Sequence, residues 1–480
     1  MELPRWGVEL LLWIVPLLHL LGLFSAFRAV METRTSQGAI AWVMFLVTLP
    51  VVALPAYWIF GRSKFVGYRK VKEVVDAGVR HRLELLLERM ESQKVVRRRS
   101  DHAGAVAERL ADLPYTGHNK VELLIDGEAT FASILEGIDR AERYILFQFF
   151  IIHDDQIGRE VRARLIRRSE AGVAVYFLYD EIGSHALDAA YLEGLREAGV
   201  HVSAFNTRRG WRNKFQLNFR NHRKVVVTDG RFAWIGGHNV GDEYLGRHPK
   251  FGHWRDTHIR IEGPAVLGAQ LSFMEDWYWA TRQGIEGLAW EPYVPAGGEA
   301  RVLIIPSGPA DAMETAQLMF LHAINSAKER LWIASPYFVP DDSVVYALQL
   351  AGMRGVDVRI LIPDRPDHLT VWLAAFSYFE EAGKTGVRFY RYKKGFLHEK
   401  VMLIDRAAAT VGTANFDNRS FRLNFEITAV VEAERFISEM EKMFERDFAD
   451  ANQEAPDILR HKPFWFRVAS KLARLSAPVQ

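Results

Sequence analysis

Two histidines, His222 and His398, each precede a lysine by two positions, Lys224 and Lys400, and the spacing beyond them is the same in both places. Asn221-His222-Arg223-Lys224-Val225-Val226-Val227-Thr228-Asp229 is closed by Gly236-Gly237-His238-Asn239. Leu397-His398-Glu399-Lys400-Val401-Met402-Leu403-Ile404-Asp405 is closed by Gly412-Thr413-Ala414-Asn415. Both read H-x-K-x4-D-x6-G-[GT]-x-N. The apolar run after each Lys predicts a buried strand. Side chains two apart on a strand share a face, so His and Lys point the same way within each copy. An imidazole beside a fixed ammonium suits a phosphate ester: the Lys neutralises charge, and the imidazole attacks phosphorus or carries a proton. The Gly-x-Asn turn adds an amide donor where backbone must approach closely. One such pair is commonly structural; two complete copies at matched spacing point to a site.

The elements around the motifs repeat as well. Strands are expected at Val121–Ile125, Tyr144–Ile152 and Val173–Tyr179, with helices at Thr130–Arg140 and Ile157–Glu170 between them. The second round has strands at Arg301–Ile305, Leu331–Phe338 and Val356–Ile362, with helices at Thr315–Ala327 and Ser343–Met353. Glu142-Arg143 answers Glu329-Arg330, Gly172-Val173 answers Gly355-Val356, and Gly199-Val200 answers Gly386-Val387. The chain therefore reads as a tandem α/β duplication. The first half covers 119–283 and the second 301–455, with a Gly- and Pro-rich linker at 284–300 and a basic, aromatic tail at 456–480. That tail, with Phe464, Trp465, Phe466, Arg467, Lys471 and Arg474, suits a helix capping the second half or one lying at a membrane surface.

The N-terminal region differs in kind. Gly7 to Phe27 is almost wholly apolar and Ala39 to Phe60 carries no charge, so 1–62 is expected to form two membrane spans. A basic flank follows, with Arg62, Lys64, Arg69, Lys70 and Lys72, which predicts both termini and the soluble part on the cytoplasmic side. Residues 63–118 read as a basic helical connector, with an apolar stripe at Leu83, Leu86, Leu87 and Met90 and a basic run at Arg97-Arg98-Arg99. The formal net charge is only +2, which argues against a dedicated nucleic-acid binder. With 0 cysteines, no disulfide, thiolate metal site or cysteine nucleophile is available.

The paired motifs resemble the HKD motifs of the phospholipase D superfamily. With the apolar N-terminus and basic connector, the chain resembles the bacterial cardiolipin synthases of that superfamily. The resemblance implies two phospholipase D-like α/β halves forming one pseudo-twofold catalytic unit behind a two-helix transmembrane hairpin. It also implies one site with His222, Lys224 and Asp229 of one copy and His398, Lys400 and Asp405 of the other as its catalytic residues, and with two His, two Lys and two Asn around one phosphate. His222 is expected as nucleophile and His398 as acid and base. Asp229 and Asp405 lie at strand ends and are read as pinning local structure or the Lys. Asn239, Asn415, Thr413 and Gly237 are the phosphate-binding candidates, the last two standing where the family carries Ser. Glu426 and Asp256 are expected to orient the imidazoles.

Arg208, Arg209, Trp211, Arg212, Lys214 and Arg220, with Arg419, are candidates for headgroup or membrane contact. Implied partners are phosphatidylglycerol and other anionic phospholipids in a membrane, with no nucleic acid. No cofactor or metal is required, since the Lys residues supply the positive charge. The oligomeric state stays open, a homodimer being one arrangement. The implied reaction joins two phosphatidylglycerol molecules into cardiolipin and releases glycerol, through a phosphohistidine. The alternatives are hydrolysis to phosphatidic acid and transfer to another alcohol or lipid. The implied location is the bacterial inner membrane, multi-pass, with the catalytic halves in the cytoplasm.

Overall fold

The computed structural model describes residues 5–33, 36–61, 83–98, 102–205 and 219–477. Met1–Lys70 with Asn206–Phe219 form one compact unit, and Val71–Phe205 with Arg220–Gln480 a second.

In the first unit a helix runs over Arg5–Glu32. Its Trp13–Glu32 portion, of mean hydropathy 1.8, is the one helix among the described residues long and apolar enough to cross a membrane. The second apolar run, expected as one crossing, is instead two helices, Ser36–Thr48 and Pro50–Phe60, of 13 and 11 residues. Pro50 causes the break. It has no N–H to continue the ladder, and its ring drives Leu49 out of the helical region, to φ −134° and ψ 59°. Neither piece reaches across a ~30 Å hydrocarbon core. The run doubles back: the rings of Trp42 and Tyr57 are 5.3 Å apart. On a continuous helix those positions would lie about 22 Å apart. Gly22 packs against the Leu46 carbonyl and Pro50, and Arg28 stacks over Trp58 at 5.3 Å, at the end of the first helix from which the run departed.

The second unit is built on a single mixed sheet. In the first half, Tyr144–Phe149, Ala174–Asp180 and His201–Phe205 run parallel, in that order. Antiparallel partners then lead from Tyr144–Phe149 through Val225–Thr228, Phe232–Gly236 and Thr257–Glu262 to Thr116–Ile125. The second half repeats this with Arg330–Ala334, Asp357–Pro363 and Arg388–Tyr392 parallel. Its antiparallel series is Val401–Ile404, Ala408–Gly412, Asn424–Glu432 and Ala300–Ser307. Thr116–Ile125 pairs with Ala300–Ser307, so the sheet continues from one half into the other. Between strands the helices are capped at matching places, Asp155 accepting from Gly158 N and Asp341 from Val344 N.

In the connector, residues 83–92 are helical, and Leu86 and Met90 pack with Val95 and Leu267. Residues 71–82 and Arg99 lie outside the described residues. Arg98 pairs with Glu91 and Glu108, and Arg97 donates to the Lys94 and Val96 carbonyls, so both are engaged within the protein.

Beyond the continuous sheet, short parallel bridges tie the halves together beside each motif. Arg220–Asn221 pairs with Asn424–Phe425, and Phe396–Leu397 with Trp254–Arg255. The middle residue of each H-x-K turns to the opposite face of its strand, as alternation requires. There Arg223 meets Asp276 at 3.0 Å and the Glu426 carbonyl at 3.0 Å. Glu399 meets Arg255 at 2.8 Å and the Thr257 hydroxyl at 2.7 Å. Arg255 also holds Asp447 through two contacts of 2.8 Å.

Burial raises the Glu399 carboxyl, against the pull of Arg255 and with Asp447 crowding the same guanidinium. Arg255→Ala should therefore cost roughly 3–5 kcal/mol, because it strands buried carboxylates. Glu399→Gln, replacing a group already drawn toward its neutral form, should cost about 1 kcal/mol or less. Urea denaturation of the two variants measures the difference; equal losses would contradict this account of the seam.

Candidate active site

The chain arrives at strands Val225–Thr228 and Val401–Ile404 through the two cross-half bridges, and these set the histidines. His222 N donates to the Phe425 carbonyl at 2.9 Å and His398 N to the Arg255 carbonyl at 2.8 Å. Each imidazole is then gripped by a carboxylate from the opposite half. His222 Nδ1 lies 2.9 Å from Glu426 Oε2, and His398 Nδ1 lies 2.7 Å from Asp256 Oδ2. A carboxylate on Nδ1 stabilises the tautomer with hydrogen there, which leaves Nε2 as the bare nitrogen. Each histidine side chain keeps only 10% of its surface open.

The two carboxylates are themselves held. Glu426 accepts from the Thr413 hydroxyl at 2.6 Å, the Ser420 hydroxyl at 2.9 Å and Asn424 Nδ2 at 3.1 Å. Asp256 accepts from Thr257 N at 2.8 Å and lies against Gly237, where an added Cβ would sit 1.9 Å from its Oδ1. This corrects the expectation that Thr413 and Gly237 bind phosphate. Both serve the carboxylate of their own half, Thr413 by donating to it and Gly237 by leaving room for it.

The lysines share the same ground. Lys224 Nζ donates to the His222 carbonyl at 2.7 Å and stands 5.4 Å from the Phe150 ring centre. Lys400 Nζ donates to the His398 carbonyl and lies 2.7 Å from His398 Nδ1. That nitrogen serves one partner at a time, Asp256 when it carries hydrogen and Lys400 when it does not. Aromatic rings complete the walls: Phe150 is 5.0 Å from His222, and Trp254 is 5.1 Å from His398.

Burial dominates the electrostatics. It lowers His222 to about 4 despite the upward pull of Glu426, with Lys224 adding to the fall. His398 is lowered by burial and then by Lys400, Lys224 and His222. Burial also draws Lys224 down and brings Lys400 to about 8, partly offset for Lys400 by Asp256 and Glu426. Burial would raise Glu426, but His222, Lys224 and Thr413 outweigh it and hold the carboxyl below its usual range. At neutral pH the free site thus presents an unprotonated His222 beside an ionised Glu426.

Other expected residues stand elsewhere. Asp229 accepts from the backbone N–H groups of Glu142, Arg143 and Tyr144, and Asp405 from those of Lys328, Glu329 and Arg330. Both sit at positive φ in the turn after the motif strand and pin the start of the neighbouring one, without contact to the lysines. Of the two roles expected for them, pinning local structure or pinning the Lys, these contacts are the first. Asn239 is also committed: its Oδ1 accepts from Ile151 N and its Nδ2 donates to the Tyr244 hydroxyl. Asn415 remains a phosphate candidate through its Nδ2, the donor of its amide, while its Oδ1, an acceptor, has no partner among the described residues. Arg220 and Arg419 are half-buried and have partners within the protein. Arg208, Arg209, Trp211, Arg212 and Lys214 lie outside the described residues.

The family described as "Cardiolipin synthase, PLD-like domain" matches residues 134–252 and 320–448, and "Phospholipase_D-nuclease N-terminal" matches 11–62. A Pseudomonas fluorescens protein named Cardiolipin synthase A is 45% identical over 477 residues, covering 99% of each chain. The protein of that name from Pseudomonas syringae pv. syringae is 46% identical over 470 residues, covering 97% of this chain and 98% of its own. This chain belongs to the bacterial cardiolipin synthases of the phospholipase D superfamily. Among solved structures, phosphatidylserine synthase from Haemophilus influenzae shares the fold at 14% identity and a TM-score of 0.61, over 79% of this chain and all of its own.

Several features of this cardiolipin synthase site were missed in the sequence. Phe150 and Trp254 follow no motif spacing, Asn424 donates to Glu426, and Ser420 both donates to Glu426 and accepts from Asn415 N. A signal did exist for Arg223 and Glu399. They occupy the x of H-x-K, where strand alternation turns a charged side chain inward, and a buried charge demands a partner.

The shifted groups predict the pH profile. With His222 taken as the nucleophile, as the family resemblance implies, protonation would remove its lone pair, so a His222 lowered to about 4 should keep the acid limb of kcat/KM well below that of a solvated imidazole. Deprotonating Lys400 removes phosphate-neutralising charge, so the alkaline limb should fall near pH 8. An acid limb at about 6.5, the ordinary imidazole value, would overturn the buried-nucleophile account.

Proposed function

We propose that this phosphatidyltransferase joins two phosphatidylglycerol molecules by double displacement at the site between the halves. The observation that carries the reading is the pair of imidazoles whose Nδ1 atoms are held by carboxylates, leaving two Nε2 atoms for one phosphorus. His222 Nε2 attacks phosphorus; the bond to the departing glycerol oxygen breaks, and that oxygen takes the proton that His398 Nε2 has gained on substrate binding. The hydroxyl of a second phosphatidylglycerol then gives its proton to His398 and attacks the phosphorus. The P–N bond breaks, leaving cardiolipin and a free His222. Lys224 and Lys400, with Asn415, hold the non-bridging oxygens. His222 is favoured as nucleophile because three side chains besides its own hold Glu426 in place and ionised.

The matched strand orders support reading 119–283 and 301–455 as one pseudo-twofold catalytic unit. Residues 284–300 are the joint, 63–118 the connector and 456–480 the tail. The near-neutral charge supports lipid rather than nucleic acid as the ligand.

Labelled phosphatidylglycerol alone should yield cardiolipin and glycerol; phosphatidic acid as the main product would support hydrolysis instead. His222→Ala and His398→Ala should each reduce turnover by at least about 10²-fold without unfolding, since acid–base catalysis alone is worth that much. Label trapped on His398 rather than His222 would reverse the assignment.

The membrane anchor is proposed as one crossing helix with a folded-back apolar pair against it. In the sequence Arg28 and Arg34 come at and after the end of the crossing stretch and the basic flank from Arg62 follows the folded-back pair, whereas Glu2, Arg5 and Glu9 come at its beginning. The positive-inside rule puts the basic end, and with it the catalytic halves, in the cytoplasm. The N-terminus would then lie outside, unlike the arrangement expected from two crossings. The chain has 0 cysteines, so Glu2→Cys can be labelled cleanly in intact cells. A membrane-impermeant maleimide should react; protection until lysis would restore two crossings.

A further inference from the structure

The C-terminal helix Phe464–Arg474 has two apolar faces, and the protein uses one of them. Phe466, Ser470 and Ala473 face inward. Phe466 packs edge-on against Trp372 and Phe376 of helix Leu369–Gly383, at 5.9 and 5.2 Å. On the other side Phe464, Trp465, Leu472 and Leu475 are 78%, 68%, 61% and 77% exposed. Their spacing, with Val468, puts them on one stripe of the helix, and exposed Arg467 and Lys471 border it. A capping helix needs only the first face.

The direction of packing shows where the second face points. Phe466 lies against the early part of helix Leu369–Gly383, while Arg474 stacks over Tyr378 at 4.3 Å and pairs with Glu381 at 2.8 Å further along. The two helices therefore run parallel, and Phe464 and Trp465 lie beside the start of helix Leu369–Gly383. That start follows directly on Asp367 and His368, which act electrostatically on Lys400 and His398. Asp367 accepts the Tyr337 hydroxyl at 2.5 Å, at the end of the sheet that carries the site. The bare aromatic end of the helix thus stands at the catalytic face, together with Leu369, itself exposed.

We infer that this helix is a membrane-seating element: Phe464, Trp465, Leu472 and Leu475 enter the surface of an anionic bilayer and bring the mouth of the second half onto it. Arg467 and Lys471 meet lipid phosphates at the border, which is the charge complementarity such a surface offers. Tryptophan at one end suits the water–lipid boundary. The inference rests on the reading of the chain as an enzyme of membrane phospholipids, and adds where the second half touches them.

Because the chain has 0 cysteines, single nitroxide labels test it in the full-length protein. Trp465→Cys and Leu472→Cys, with Arg435→Cys as a water-facing control, are reconstituted in vesicles of phosphatidylglycerol and phosphatidylethanolamine. Labels at 465 and 472 should be relaxed by oxygen and sheltered from a nickel chelate, and the label at 435 the reverse. Equal nickel access at all three sites would overturn the inference. So would shelter from both reagents with spin–spin broadening that vanishes on dilution with unlabelled protein, which would mark a second copy as the occupant. The double variant Phe464→Ser, Trp465→Ser should lose roughly tenfold in cardiolipin formation on vesicles and keep its rate on short-chain substrate in detergent. An equal loss in both would make the helix merely structural. A chain that forms no cardiolipin on any substrate would sink the proposed reaction, while the depth measurement would still decide the seating.

Discussion

The imidazole of each motif is oriented by a carboxylate that belongs to the other half of the chain. This crossing is the constraint on which the rest depends. Neither half alone can fix the tautomer or the aim of its own histidine. The short parallel bridges at Arg220–Asn221 and Phe396–Leu397 serve the same end by setting backbone register across the seam where a carboxylate must meet a ring. Continuity of the sheet through Thr116–Ile125 and Ala300–Ser307 would join the halves loosely at one edge. The buried Arg255–Glu399 ion pair and the bonds that Arg223 donates to carbonyls of the other half make the join specific, because parting the halves would strip buried charges of their partners.

The same burial organises the proton inventory. Lys224 and Lys400, both drawn down by burial, stand near the ionised Glu426, and both imidazoles are lowered toward their neutral forms. One phosphodiester adds a single negative charge. Offsetting that charge in a poorly solvated space takes one proton, and the imidazole facing the departing oxygen is the basic group placed to receive it. A site that holds both histidines neutral when free can therefore have one nucleophile and one acid once substrate is bound.

Much of this was legible in the sequence. The spacing of the two motifs gave the shared face of His and Lys, and the apolar runs after each lysine are the strands Val225–Thr228 and Val401–Ile404. Glu426 and Asp256 were recognisable as the orienting carboxylates, but spacing within one copy has no bearing on which half supplies which. Gly237 and Thr413 were misread because a residue beside a motif suggests phosphate, whereas their contacts are decided by how closely a carboxylate packs behind the ring. The second apolar run was misread for another reason. Hydropathy is blind to direction, and a single proline at position 50 reverses the path of a stretch whose composition never changes.

What the two copies keep and what they vary follows from where each residue points. His and Lys, the residues proposed to face the phosphate, are identical in both, as two half-sites presenting like groups to one phosphorus would require. The residue between them, turned to the seam, has opposite charge: Arg223 in the first copy and Glu399 in the second. Arg223 meets Asp276 of its own half and backbone carbonyls of the other, while Glu399 meets an arginine across the seam. Two identical halves would set like charges at equivalent places, and each would need its own compensation. Divergence at this one position lets the two sides of the seam be neutralised by different means while the surface above it stays symmetric. The asymmetry that the proposed division into nucleophile and acid needs can then arise beneath the site, in Thr413, Ser420 and Asn424 around Glu426 against Gly237 and Thr257 around Asp256, without altering the His and Lys of either motif.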